Sequence, residues 1–327
     1  MLSFARYILN YLCIFVFMNK SQSTYRPGVT VVIPVYNRAR QIAVTVADIL
    51  AQSRLPEAIV LVDNASTDNT PQVLAQLADA VREKGVQCSL LSESCPGAPA
   101  ARNRGLGVVD TEWVMFFDSD DNMLPRHIQR AMEAASASDA DVVGWDVMYA
   151  YRNGKRIKRL FETRNMQYHN LMHATMATQR YMTRTGLVHA AGGWDNNIRI
   201  WDDIEFGARI LKHSHNLVKV KGEPQVIVNQ SADSISGFTF ASRAARYAAP
   251  LQAIAKSLGP EGRSWVLLKA MILAGDMTRE GSPLGKEYRD AVLASAGTRR
   301  LRMALRLAYA YQSRGGRATA RIFHYIV

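Results

Sequence analysis

The chain has 327 residues, of which 48% are hydrophobic and 9% aromatic, and this composition excludes wholesale disorder. Its 40 Lys and Arg against 28 Asp and Glu give a net charge of +12 and a pI of about 9.8, compatible with nucleic acid, an anionic membrane surface or a phosphorylated substrate. The three cysteines lack metal-ligand spacing and indicate a reducing cytosol rather than a disulfide framework.

The N-terminus is expected to lie outside the fold. Residues 7–18 form a mostly apolar run that is too short to span a bilayer comfortably, and no small-residue cleavage site follows it. Two interpretations stay open: a short membrane-associating segment, or a mis-assigned start with translation beginning near Met18. In either case residues 1–28 are interpreted as an N-terminal extension.

Strands and helices are predicted to alternate from Val29 onwards. Strands are predicted at 29–35, 58–62, 86–91 and 113–117, and the first is a continuous β-branched run, typical of a strand buried on both faces. Apolar residues at helical spacing predict helices over 39–53, 70–85 and 99–108. This alternation predicts an α/β fold with a mostly parallel, doubly wound sheet flanked by helices, whose ligands bind beyond the carboxyl ends of the strands.

Polar residues stand directly after three of these strands, namely Tyr36-Asn37, Asp63-Asn64 and Asp118-Ser119-Asp120-Asp121. Three carboxylates as close as those of the last group repel one another unless a cation lies among them. Oxygen ligands suit Mg²⁺ or Mn²⁺, which normally shares its coordination shell with substrate phosphates. The alternative interpretation is a loop whose Asp side chains cap the next helix.

Four motifs, in this order and spacing, resemble those of family 2 glycosyltransferases: Thr30-Val-Val-Ile-Pro-Val-Tyr-Asn37, Val62-Asp-Asn-Ala-Ser-Thr-Asp68, Gly97-Ala-Pro-Ala-Ala-Arg-Asn-Arg-Gly105 and Phe117-Asp-Ser-Asp-Asp121. The resemblance covers about residues 29–236. It implies a GT-A fold of Rossmann-like type, a nucleoside-diphosphate-sugar donor, a DxD-type metal site holding Mn²⁺ or Mg²⁺, and inversion at the anomeric carbon. Neither the sugar nor the acceptor is specified by these motifs.

Carried over by position, the resemblance implies a donor site made of Pro34, Tyr36, Asn37, Asp63, Asn64, Arg102, Asp118 and Asp120. The metal is expected on Asp120 and Asp121, with Asp121 as the direct ligand. Asn64 departs from the acidic residue of the family, although an amide can still accept and donate a hydrogen bond to a base. Arg102 is expected either to contact phosphate or to lie on the surface of its helix.

A second acidic motif follows in Ala191-Gly-Gly-Trp-Asp195 and Trp201-Asp-Asp-Ile-Glu-Phe-Gly-Ala-Arg209. By resemblance Asp203 is the catalytic base, and Trp194, Trp201 and Asp202 lie on the acceptor side. Helix geometry turns Asp203 about a quarter-turn from the face of Asp202, and its place in the first turn favours an ionised carboxylate. The alternative is that these acids only complement the helix dipole.

The same helix carries a predicted i,i+4 pair, Glu205 and Arg209, worth a few tenths of a kcal/mol if exposed. One departure from the family follows downstream. Family members often carry a histidine before a Ser-Ile-Ser-like stretch, and here Ser231 stands at that position. We therefore predict no histidine ligand, and expect His213 and His215 to be solvated near the helix end.

Residues 241–327 are predicted to form a helical, basic C-terminal region after a glycosyltransferase domain over 29–240. From position 291 onwards there are seven arginines and no Asp or Glu. This region is interpreted either as a basic amphipathic surface for anionic lipid headgroups or a lipid-diphosphate acceptor, or as a solvated appendage packed on the main domain. No recognition motif accompanies the charge, so nucleic acid is not an expected partner.

The sequence thus predicts a metal-dependent inverting glycosyltransferase of surface polysaccharide or glycolipid synthesis. Its partners would be a nucleotide-sugar donor, a glycan or lipid-linked acceptor, and peripherally the inner face of the cell membrane, with a cytoplasmic location. The alternative is a catalytically silent nucleotide-sugar-binding subunit, against which the intact acids argue. A nucleotidyltransferase would need a glycine-rich, basic phosphate loop after the first strand, which Pro34-Val-Tyr-Asn-Arg38 does not provide.

Overall fold

The computed structural model describes residues 25–230 and 239–324, so the apolar run at 7–18 and Ser231 lie outside the described residues. A seven-stranded central sheet organises the first part of the chain. Its strands are β1 (Arg26–Val35), β2 (Ala58–Asp63), β3 (Gln87–Ser92), β4 (Thr111–Phe116), β6 (Val142–Gly144), β9 (Tyr181–Arg184) and β10 (Leu217–Lys219). Their order is β10-β6-β9-β4-β1-β2-β3, and β9 alone runs antiparallel to its neighbours.

The four predicted strands are present, and β1 is buried on both faces, as its continuous apolar run predicts; β3, at the edge of the sheet, consists of exposed and half-buried residues. Along β1 the side chains alternate between two buried clusters: Val31 and Ile33 enter one, and Val32 enters the other. Val60 and Leu61 of β2 divide in the same way. Since successive side chains of a strand point to opposite faces, a sheet covered by helices on both faces needs apolar residues at every position.

The helices of this part flank the sheet. They are α1 (Ala39–Leu50), α2 (Thr70–Glu83), α3 (Ala98–Leu106), α4 (His127–Ser136), α5 (Met166–His173), α6 (Thr185–Ala190) and α7 (Asp202–His213). Helix α3 lies unusually close to the sheet because Gly105 faces it; a Cβ there would lie 2.4 Å from Cγ1 of Val32. This close approach brings the side chains at the start of α3 to the carboxyl edge of the strands.

A small second sheet stands beside the carboxyl edge. Its strands are β5 (Asn122–Met123), β7 (Val147–Tyr151), β8 (Arg156–Arg159) and β11 (Val226–Gln230), in the order β5-β11-β7-β8. Strand β5 follows the acidic loop directly. Its antiparallel pairing with β11 holds the C-terminal end of the loop against the second sheet. The strands of this sheet are short and their residues are mixed in polarity, so no local pattern in the sequence predicts them.

The C-terminal region is helical, as predicted. After a 3₁₀ segment, Ala241–Arg246, it contains α8 (Ala248–Leu258), α9 (Arg263–Arg279), α10 (Leu284–Ser295), α11 (Arg299–Ser313) and α12 (Thr319–Phe323). These helices share a third apolar cluster with α5 and α7, to which α9 contributes Leu268, Met271 and Met277. The region is therefore packed on the helix that carries the second acidic motif. Within the described part of the chain, no helix is both long and apolar enough to cross a bilayer.

Candidate active site

The carboxyl ends of β1, β2 and β4 align at one edge of the sheet. Val35 at the end of β1 pairs with Asp63 at the end of β2, and Phe116 at the end of β4 pairs with Val32. The polar residues that follow the three strands are therefore brought together, as the parallel topology predicts.

Asn37 joins the first two of these loops. It adopts a left-handed conformation with φ of 50°, and its side-chain oxygen accepts a hydrogen bond of 2.8 Å from the backbone N–H of Thr67. Tyr36 projects into solvent with 53% of its surface exposed, whereas Pro34 is buried in β1. Pro34 thus supports the edge from within the sheet, and its contact with a donor stays a prediction.

The two polar residues after β2 differ in what their side chains are free to bind. Asp63 is 8% exposed, and its Oδ1 atom is buried without a hydrogen-bond partner. Asn64 donates to the carbonyls of Glu93 and Cys95 and accepts from the N–H of Gly97 at 2.7 Å. Both N–H donors of Asn64 and one acceptor position of its oxygen are therefore engaged in holding the loop before α3, and its contact with the nucleobase stays a prediction.

The three carboxylates of the acidic loop after β4 have separate partners and do not surround one common centre. Both carboxylate oxygens of Asp118 are occupied, one by Arg102 at 2.8 Å and the other by the side-chain amide of Gln179. Asp120 lies 3.5 Å from the guanidinium of Arg38. Among the residues that the structure describes, no three or more His, Cys, Asp or Glu side chains converge as a metal-binding group.

Asp121 is the most enclosed of the three acids. It is 2% exposed; its Oδ1 accepts a 2.8 Å hydrogen bond from the backbone N–H of Asn229, and its Oδ2 has no partner. Burial and the neighbouring carboxylates Asp118 and Asp120 raise the pKa of Asp121 well above its usual range. Burial also raises the pKa of Asp120. An unpartnered buried carboxylate oxygen beside a second acid fits a hard divalent cation, because such a cation stabilises the ionised forms of both.

Arg102 connects the acidic loop to the second acidic motif. Its guanidinium lies 2.8 Å from Asp118 and 2.8 Å from Asp202, and it stacks 4.4 Å above the ring of Trp194. With 5% of its surface exposed, Arg102 is not the surface arginine considered from the sequence, whereas its contact with phosphate stays a prediction. Two of its donors hold two carboxylates at a fixed separation, and its Nε has no partner.

Asp203 is the second residue of α7 and lies beside this ion pair. Trp201, the residue before the helix, has a left-handed φ of 57°, which turns the chain into the helix. Oδ1 of Asp203 accepts a 2.8 Å hydrogen bond from the N–H of Ile204. Burial, followed by the adjacent charge of Asp202, raises the pKa of Asp203 to about 7. A carboxylate with a pKa near neutrality is suited to accept a proton from a hydroxyl group.

The loop before α7 is fixed from two sides. Asn103 of α3 donates to the carbonyl of Trp194 and accepts from its N–H, each at 2.8 Å. Nη1 of Arg209 donates to the carbonyls of Ala191 and Gly193. Its Nε and Nη2 each donate to one carboxylate oxygen of Glu205 at 2.6 Å. Glu205 is only 3% exposed, so this pair is enclosed and not the exposed helix pair considered from the sequence.

The two tryptophans that were predicted on the acceptor side differ in how exposed they are. Trp194 is 3% exposed and stacks on Phe206 in the core, so it is not available to an acceptor. Trp201 remains half-buried; its ring lies 4.8 Å from that of Tyr247, and the ammonium of Lys269 lies 4.7 Å from its centroid. The C-terminal helices thus complete the surroundings of the second acidic motif. His213 and His215 are exposed, as expected.

Sequence reasoning missed four residues that shape the site: Arg38, Gln179, Asn229 and Lys269. Arg38 and Asn229 are close in sequence to quoted motifs, and their polar side chains next to strand ends were the available signal. Gln179 and Lys269 lie in segments without any motif, and only tertiary packing brings them to the acids.

Comparison with solved structures defines the class of the fold. Staphylococcus aureus TarS 1-349, solved in complex with UDP-GlcNAc, superposes with a TM-score of 0.57 at 15% identity over 91% of each chain. A mannosyltransferase from Pyrobaculum calidifontis, solved with GDP-Man and Mn²⁺, superposes with a TM-score of 0.51 at 22% identity, over 91% of this chain and 87% of that one. The fold is GT-A, as predicted.

Sequence comparison gives the family. The model described as Glycosyl transferase family 2 matches residues 30–191. The succinoglycan biosynthesis protein ExoO of Rhizobium meliloti is 30% identical over 136 residues, which are 42% of this chain and 38% of that protein. The glycosyltransferase AglE of Haloferax volcanii is 26% identical over 196 residues, 58% of this chain and 64% of that protein. Residues 30–191 of the chain thus belong to glycosyltransferase family 2, and the chain aligns with less than two thirds of the length of either relative.

Proposed function

We propose that this protein transfers a sugar from a nucleoside-diphosphate sugar to an acceptor hydroxyl, with inversion at the anomeric carbon, in the synthesis of a surface polysaccharide or glycolipid. The observation that carries the proposal is the coupling of two acidic sites through one buried arginine. Arg102 holds Asp118 of the donor-side loop and Asp202 of the acceptor-side helix at 2.8 Å each. Direct displacement needs both substrates at fixed separation, and this bridge supplies it.

The donor is expected along the edge formed by β1, β2 and β4. Oδ1 of Asp63 is buried and unpartnered, so it is ready to accept a hydrogen bond from a base or ribose. Tyr36 offers an exposed ring at the same edge. Proteins of this fold have been solved with UDP-GlcNAc and with GDP-Man, and we infer a donor of the same chemical class here.

Asp120 and Asp121 are the residues proposed to hold Mn²⁺ or Mg²⁺. Asp121 keeps one carboxylate oxygen unpartnered while nearly excluded from water, an arrangement that a bound cation would stabilise. When bound, the cation neutralises the charge that develops on the diphosphate leaving group. Arg38, 3.5 Å from Asp120, adds a fixed positive charge on the same side.

Asp203 is proposed as the base. With its pKa raised to about 7, a substantial fraction of Asp203 is ionised at neutral pH, and this carboxylate has enough proton affinity to take the acceptor hydroxyl proton. The position of Asp203 is fixed by the N–H of Ile204 and by the ion pair of its neighbour Asp202 with Arg102. We propose that the half-buried Trp201 forms one wall of the acceptor site, with Lys269 behind it.

The test is turnover of a panel of nucleotide sugars, with Mn²⁺ and with a chelator, by the wild-type chain and by Asp203→Asn. The variant is expected to lose at least about a hundredfold in turnover while binding the donor as the wild type does. Asp139→Asn, at an exposed position away from the site, is the matched control. Unchanged turnover by Asp203→Asn would exclude this base. Donor binding without turnover of any donor would favour the silent binding subunit, and full turnover in chelator would exclude the metal.

A further inference from the structure

Helix α11 carries an apolar stripe on its solvent face. Met303, Leu307 and Tyr311 are 55%, 54% and 41% exposed, although large aliphatic side chains are usually buried. They recur every four residues, so they lie on one side of the helix. The opposite side, with Ala304, Leu305 and Ala308, is buried against the rest of the C-terminal region. The stripe is therefore additional to the face that the fold needs for packing.

Arginines flank this stripe. Arg299 and Arg306 fall within roughly 100° of Met303 around the helix axis, and Arg302 borders that arc. All seven arginines from 291 onwards are exposed, and none forms an ion pair with any carboxylate in residues 25–230 and 239–324. Asp290, the last acidic residue of the chain, is paired with Arg289 instead. The face thus combines apolar side chains with uncompensated positive charge.

An open groove extends the stripe at the end of the helix. It has a volume of about 540 Å³ and lies between α11 and α12, lined by Leu307, Ala310, Tyr311, Arg314, Gly315, Gly316 and Phe323. Ile322 of α12 is also 47% exposed. A long apolar surface of this kind, bordered by guanidinium groups, meets the chemistry of a headgroup layer with acyl chains beneath it.

Other occupants fit the face less well. A second copy of the chain would place two sets of unpaired arginines opposite each other, because a twofold interface uses the same patch on both subunits. A nucleic acid would match the charge, but the side chains between the arginines include Met303 and Leu307, which are aliphatic and do not stack on bases. Aliphatic side chains between basic ones are typical of helices that lie in the membrane interface.

We propose that α11 and α12 form a peripheral docking surface for bilayers rich in anionic lipids, in which Met303 and Leu307 enter the headgroup boundary. The arginines beside them bind lipid phosphates and hold the helix parallel to the surface. This inference goes beyond the proposed sugar transfer and does not depend on it, because it concerns a face distinct from the acidic site.

The test is flotation of the full chain with vesicles of phosphatidylcholine alone and with vesicles containing about a third phosphatidylglycerol. The chain should float with the anionic vesicles only, and salt of about 1 M should release it. Arg302→Gln/Arg306→Gln should weaken binding about 30-fold, since each arginine contributes roughly fivefold. Met303→Ser/Leu307→Ser should weaken it at least about tenfold through loss of apolar burial.

The matched control is Lys84→Gln/Arg126→Gln, which removes the same charge from exposed positions far along the chain. The control should bind like the wild type. Equal loss in the control and the α11 charge pair, or equal binding to neutral vesicles, would overturn the proposal. It would also be overturned if the α11 variants bound vesicles normally but sedimented as a smaller species than the wild type, since the face would then be an interface between copies.

Discussion

Replacing Arg102 with methionine should destabilise the protein more than any other single change at the site. The side chain of Arg102 is 6% exposed, and it holds Asp118 and Asp202, which are 30% and 18% exposed, at 2.8 Å each. Methionine fills most of the volume but leaves two carboxylates without a counter-charge. Breaking a buried ion pair by removing one partner costs about 3–5 kcal/mol.

The partial exposure of both carboxylates places the expected loss at the lower end of that range, about 3 kcal/mol. Loss of the cation–π contact, 4.4 Å from the ring of Trp194, adds about 1 kcal/mol. The effect should depend on pH. Burial already raises the pKa of Asp202 despite the arginine, and without Arg102 this pKa rises further. Since an acid with a raised folded pKa loses stability as pH rises, the deficit should be larger near pH 8 than near pH 5.

Urea unfolding of Arg102→Met and wild type at both pH values measures this deficit. Arg104→Met, an exposed arginine on the same helix, is the control and should cost less than about 0.5 kcal/mol. Adding Asp202→Asn to Arg102→Met should restore part of the lost free energy, because it removes one stranded carboxylate. A deficit below about 1 kcal/mol that is the same at both pH values would refute the role assigned to Arg102.

Three further outcomes are expected in unfolding experiments. Asp203→Asn should raise the free energy of unfolding near pH 8 by about 1 kcal/mol or more, with no gain near pH 4. The reason is that the pKa of Asp203 is higher in the folded protein than in the unfolded chain, so its charge destabilises the fold only above the unfolded pKa. An effect that does not depend on pH would contradict this. Gly105→Ala should cost about 1–3 kcal/mol because its Cβ meets the sheet, whereas Gly107→Ala, with no atom closer than 3.5 Å, should be tolerated in a thermal melt. Asn64→Ala should cost about 2 kcal/mol through three lost hydrogen bonds and accelerate cleavage by a Glu-specific protease after Glu93, and unchanged cleavage there would argue against its role in the loop.

The path from sequence to fold was direct where the signal was local. The four predicted strands and the helices between them are present, with ends shifted by a few residues. A strand that is buried on both faces needs an apolar residue at every position. The turns between elements carry the residue types that turns require. The parallel topology then fixed which loops share an edge, and the acids did appear there.

The pairing of side chains within that edge was decided by tertiary structure alone. Asn64 and Arg102 have the residue types of ligand-binding groups, yet their partners come from other loops and from α7. Trp194 was predicted on the acceptor side but is stacked in the core. Whether a polar group is free or satisfied depends on which donors and acceptors the packing brings within about 3 Å, and no local pattern records that distance.

Which side chains of the C-terminal region are exposed also depends on packing. Its sequence determined a basic, helical segment, and left open whether the charge lay on a bare surface or on a packed one. Packing against α9, α10 and α12 decided that one face of α11 is buried and that Met303, Leu307 and their arginines are left outside. A helix with apolar residues on more than one side can be oriented only by the partners it meets, because burial is a property of the assembled core.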